Sequence, residues 1–156
     1  MIRLLVKTLL FWLVASVGYA HEIRPAVADL GFDGAGGYEI RIRLTLEALV
    51  AGIDPALGDT SESENAARYD ALRLMPPEGL QAEFDAFAQA FLGKVTLSAN
   101  GQNLTLDIPA VEIPPVGDIE LVRDSVLILE GPLPPNAQEI SFGWDASFGP
   151  IILRAT

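Results

Sequence analysis

The sequence predicts a mainly β protein: an antiparallel β-sandwich of immunoglobulin-like type with an inserted helical pair. Three observations lead there. Between Tyr38 and Glu47 apolar and polar residues alternate without a break, the period of a strand with one wet face. Asn100-Gly101 sits between two apolar runs, and both residues tolerate the positive φ that a tight hairpin turn requires. Between about residues 62 and 92 the apolar period lengthens from two to about 3.6, then shortens again at Val95.

Taken in chain order, Met1 to Ala20 reads as a signal peptide. Arg3 and Lys7 precede an apolar run from Leu9 to Val17, and Gly18 and Ala20 provide small residues at the two positions a signal peptidase reads. The uncharged stretch from Thr8 to Ala20 is shorter than the ~20 apolar residues that span a bilayer. The expected mature domain is 21–156, beginning at His21. Removing Arg3 and Lys7 moves the net charge from −11 to −13.

Strands are expected at Ile23 to Phe32, Tyr38 to Glu47, Val95 to Ser98, Leu104 to Ile108, Ile119 to Glu130, Glu139 to Trp144 and Ile151 to Ala155. Prolines at 109, 114, 115, 132, 134 and 135 separate several of them, since proline cannot donate to a ladder. The helical pair is expected at about 62–92. Ser61 with Glu64 has capping-box spacing ahead of Asn65 to Met75, and Pro76 stops that helix. Pro77 suits the first turn of the second helix, Leu80, Phe84, Phe87 and Phe91 recur at helical spacing, and Gly93 ends it. That stripe reads as a face packed on a sheet, with a ligand-pocket wall as the alternative. The segment after residue 20 contains no apolar run long enough to cross a membrane.

Composition narrows the chemistry. With 21 acidic residues against 10 basic ones there is no basic footprint for nucleic acid. The absence of cysteine excludes disulfides, thiol nucleophiles and zinc ribbons. The one histidine, and the lack of a Gly-x-Ser-x-Gly elbow, argue against triad catalysis. Gly34-Ala35-Gly36-Gly37 lacks the lysine and helix start of a phosphate loop and reads as a turn. No enzyme is expected.

His21 remains. As a first residue it carries a free α-amine and an imidazole that can chelate one ion, a donor set that suits Cu(II) best and Ni(II) next. Glu22 and Asp145 are candidate carboxylate donors and Trp144 a candidate neighbour, although the alternation of Ile140, Phe142 and Trp144 gives that tryptophan an ordinary core reading. The competing reading of His21 is an exposed terminal histidine.

The stretch His21-Glu22-Ile23-Arg24-Pro25-Ala26, with Arg43-Leu44-Thr45-Leu46-Glu47, Tyr69-Asp70-Ala71-Leu72-Arg73, Gly143-Trp144-Asp145 and Gly149-Pro150, resembles the exported segment of HupE/UreJ-type proteins, associated with hydrogenase and urease accessory functions and nickel transport. The resemblance implies a periplasmic or secreted, β-rich, non-catalytic accessory domain and a membrane permease or envelope protein as partner. It assigns no transport, which belongs to a membrane-spanning part of the longer members. A weaker similarity is to exported copper-binding β-sandwiches, whose N-terminal histidine holds the metal with help from a carboxylate and a tryptophan; His21, Glu22, Trp144 and Asp145 would stand for that set. The alternative function is a metal-free interaction module that docks a partner through a sheet edge or the helical pair. Intact-mass measurement of the exported protein should give a chain beginning at His21, and a species retaining Met1 would overturn the cleavage.

Overall fold

The computed structural model describes residues 23–155. His21 and Glu22 lie outside the described residues. Among the described residues eight strands form two sheets: β1 (Ala26–Phe32), β2 (Gly37–Leu44), β3 (Val95–Ala99), β4 (Gln102–Asn103), β5 (Asp107–Glu112), β6 (Ser125–Pro132), β7 (Ile140–Trp144) and β8 (Ile151–Ala155). Three α-helices lie between β2 and β3 in the chain: α1 (Leu46–Ala51), α2 (Ala66–Arg73) and α3 (Pro77–Leu92). About 35% of the described chain is strand and 27% helix, so the fold is mixed α/β, and the mainly β expectation holds only in part.

The larger sheet runs β5-β6-β2-β1-β8 and the smaller β4-β3-β7. All the pairings are antiparallel except one. β8 joins β1 in parallel, Ala26 opposite Ile151 through Leu30 opposite Ala155, which corrects the purely antiparallel expectation. Chain connectivity explains it: β8 arrives from the smaller sheet after a 3₁₀ turn at Ala146–Phe148 and not from a hairpin with its neighbour. The bidentate pair of Arg154 with Asp29, at 2.6 Å on both bonds, stitches the two strands together.

Strand β2 buries Tyr38, Ile40, Ile42 and Leu44 and turns Glu39 and Arg43 to solvent, as alternation demands. Burial pushes the Tyr38 phenol up to about 12, and its hydroxyl donates to the Thr105 carbonyl. Asn100 and Gly101 take φ of 51° and 78°, forming the expected two-residue turn between β3 and β4. Pro109 falls in β5, an edge strand with a register shift between Asp107 and Ala110, where a missing N–H is tolerated. The strand expected at Ile119 to Glu130 begins only at Ser125.

The expected strand through Glu47 stops at Leu44, and Leu46–Ala51 is a helix. Leu, Glu and Ala are good helix formers, and alternation alone cannot show where a strand gives way to them. Period two also assigns Glu47 to the wet face, yet its side chain is 1% exposed and paired to Arg123 Nε at 2.6 Å. Arg123 Nη1 donates to the Met75 and Pro114 carbonyls and Nη2 to that of Leu72.

The helical pair lies close to its expected place, with α3 starting at Pro77 and ending before Gly93. The Ser61 and Glu64 spacing does not cap α2. Asp59 instead accepts from the Ser61 amide and starts a 3₁₀ turn at Thr60–Glu62. Phe84 and Phe91 are buried in a core that also takes Ile40, Ile42, Leu97, Leu127 and Leu129 from both sheets, and Phe87 packs half-buried at its margin.

Arg123→Met alone should lower unfolding free energy by about 3–5 kcal/mol, because it leaves the Glu47 carboxylate buried without compensation. Glu47→Leu combined with Arg123→Met should recover most of that loss. Urea unfolding of the single and double variants measures both, and a single-variant loss under about 1 kcal/mol would mean the pair is solvated.

Candidate functional site

A groove of about 830 Å³ opens beside the first described residues. One wall is α1 with the turn that follows it, from Ala48 to Ala56, continued by Leu44 and Thr45 at the end of β2. Ala86 and Phe87 of α3 and Arg68 of α2 form another, and Trp144 with the 3₁₀ turn Ala146–Phe148 closes the third. Ile23 and Arg24 line it as well. The volume lies within the range of small-molecule pockets.

The corner at Trp144 is built by aromatic packing. Trp144 meets Phe148 edge-on at 5.2 Å and Phe91 at 6.0 Å, and stacks on Phe142 at 6.4 Å. Its Nε1 donates to the Gly149 carbonyl at 3.0 Å, so the indole N–H is taken and the ring serves as wall. Gly149 has φ of 83°, and a Cβ there would stand 2.7 Å from Pro55 Cβ. Glycine thus allows this corner to close on the turn after α1.

Asp145 caps the 3₁₀ turn, its Oδ1 accepting from the Ser147 amide at 2.9 Å. Lys94 Nζ donates to Ser147 Oγ at 2.7 Å and stands 3.6 Å from Asp145 Oδ1. Hydrogen bonds from the Ser147 hydroxyl and amide, with the Lys94 charge behind them, hold the Asp145 carboxyl below its ordinary 3.8. It is therefore anionic at neutral pH. Thr45 contributes a different feature to the groove wall, a buried hydroxyl without a hydrogen-bond partner among the described residues.

No family model matches the chain, and no curated protein or solved structure matches it. The site must be read from its residues.

Two of the four residues singled out in the sequence, Trp144 and Asp145, stand together at this corner, and His21 and Glu22 lie outside the described residues. The described chain starts beside this corner: Ala26 N donates to Pro150 O at 3.0 Å, and Ile23 and Arg24 share the groove with Trp144 and Ser147. Among the described residues no three His, Cys, Asp or Glu side chains gather as a metal-ion group. Sequence reasoning missed Lys94, Thr45 and Phe148. Lys94 directly follows a helix-stopping glycine and Phe148 lies in a short Gly-flanked turn, so neither falls in a periodic pattern.

Because its folded value is lowered, the Asp145 carboxylate contributes stability above its unfolded value, and that contribution is lost as pH falls through the lower folded value. Carbon-detected NMR titration should place the Asp145 midpoint below 3.8, and Ser147→Ala should raise it. A midpoint unmoved by that substitution would remove the Ser147 hydroxyl from the causes of the shift, since the amide bond of the cap is kept.

Proposed function

We propose that this chain is exported, processed to begin at His21, and acts as a non-catalytic accessory domain of the HupE/UreJ type that handles Cu(II) or Ni(II) at its N-terminus beside a membrane permease or envelope protein. The observation that carries the reading is the β1–β8 pairing with the Ala26–Pro150 hydrogen bond, which sets the described residues that follow Glu22 against the corner holding Asp145. The donor chemistry fits. The His21 amine and imidazole would bind the metal, and Asp145, kept anionic by Ser147 and Lys94, suits a third position. Trp144 has no nitrogen lone pair to offer and gives its N–H to Gly149, so its part would be to exclude water. Bound there, the metal would be held as cargo or for transfer.

In this reading the two sheets are the faces of an immunoglobulin-like sandwich into which the helices are inserted. Among the described residues no helix is long and apolar enough to cross a membrane, consistent with a domain that meets its permease from outside the bilayer.

A second reading, a metal-free module docking an envelope partner, draws support from β8. It is an edge strand of the larger sheet, and Ile152 and Leu153 on it are 52% and 46% exposed. Edge strands of that kind can accept an added strand.

Calorimetric titration of the processed protein with Cu(II) tests the first reading. Binding should weaken as pH drops, because both His21 nitrogens must shed protons. One extra residue before His21 should weaken it by at least about tenfold, since the chelate loses its amine. Equal affinity with and without that residue would remove the amine from the site. No binding in either would leave the docking module as the reading that stands.

A further inference from the structure

The groove has properties that a terminal metal site does not use. Its walls present half-buried apolar side chains, Ile23, Leu49, Phe87, Trp144 and Phe148, and an apolar concavity of this size on a small domain marks a ligand site more often than a packing defect.

Charge identifies the ligand. Acids outnumber bases by 21 to 10 across the chain, yet the groove is lined by three cations, Arg24, Arg68 and Lys94, and by two acids, Asp54 and Glu83. Arg68 stands 3.4 Å from Glu83, and Lys94 is 3.6 Å from Asp145 and bonded to Ser147, so each already has an acid partner, while the Asp54 carboxylate accepts from the Ala56 amide. Among the described residues Arg24 makes no ion pair. That leaves, among the described lining residues, one cation to meet a single negative charge on a ligand.

We propose that this groove binds a free amphiphile with one carboxylate on an aliphatic chain, a fatty-acid-like monoanion. Its chain lies along Leu49, Phe87 and Phe148, and its carboxylate faces Arg24 at the rim. An Arg–carboxylate contact supplies charge-assisted hydrogen bonds stronger than neutral ones, and the apolar walls remove the chain from water.

The test uses protein beginning at His21, which contains every described residue, in EDTA so that metal binding plays no part. Of Trp12 and Trp144, only Trp144 remains in that protein, and it lines the groove, so its fluorescence reports occupancy directly. Titration with dodecanoate below its micellar concentration should saturate at one ligand per chain, with calorimetry confirming the stoichiometry. Dodecanol should bind at least about tenfold more weakly, reflecting the lost ion pair. The exposed substitution Arg24→Gln should erase that preference, bringing dodecanoate down to the dodecanol level. Ala86→Glu, at an exposed helical position in the wall, should weaken dodecanoate by about tenfold or more and is read independently should the Arg24 variant fold poorly.

Several results would overturn the proposal: no saturation with dodecanoate, equal affinity for dodecanoate and dodecanol, or dodecanoate binding unaltered in Ala86→Glu. Tighter binding of dodecyl phosphate, or binding only to anionic phospholipid vesicles, would do the same by pointing to a lipid headgroup. Since no metal is present, loss of copper binding elsewhere leaves this result unaffected.

Discussion

One buried ion pair ties together parts of the chain that are far apart in sequence. The Glu47 side chain is almost wholly removed from water and depends on Arg123, 76 residues away, for compensation. The same guanidinium donates to the carbonyls of Leu72 and Met75, where α2 ends, and to that of Pro114 in the loop before β6. Helix C-termini leave carbonyls without intrahelical partners, so Arg123 meets that need while neutralising a buried charge. Both charges have left water, and their mutual attraction offsets the cost only in well-hydrogen-bonded geometry. The orientation of α1 against α2, and with it one wall of the groove, follows from that requirement.

The opposite wall rests on aromatic packing. Phe84 and Phe91 of α3 meet edge-on at 6.0 Å, and Phe91 stacks on Phe148 at 5.5 Å. Phe87 reaches the same Phe148 at 6.3 Å. Edge-on and offset arrangements suit the ring quadrupoles, and a cluster linking α3, β7 and the 3₁₀ turn holds the Trp144 corner in place. The lone turn of Ala146–Phe148 redirects the chain from the smaller sheet to the larger, so one short segment serves topology and groove at once.

The parallel β8 strand gives the molecule its asymmetry. It closes the larger sheet beside β1, where the described chain begins, and so places the start and the end of the described residues at one edge. Asp29 and Arg154 hold that edge by a bidentate contact; the carboxyl of Asp29 is lowered chiefly by its hydrogen bond to Arg154. The metal reading and the docking reading both draw on this edge, one through what precedes β1 and the other through the outer face of β8.

Local sequence by itself determined the strands with one wet face, the Asn100-Gly101 turn and the extent of α3. Each is set by nearest neighbours: alternation needs only the pleat, the hairpin only two residues that accept positive φ, and α3 only a stripe bounded by Pro77 and Gly93. It also brought Trp144 and Asp145 into consideration. The tertiary structure alone decided that Leu46–Ala51 is a helix, that Glu47 is inside, that β8 runs parallel, and that Lys94 and Thr45 share a groove with Arg24. A buried glutamate looks like a surface one until its arginine is found, and a groove belongs to no single segment. Such features depend on pairings between residues tens of positions apart, and no local period encodes them.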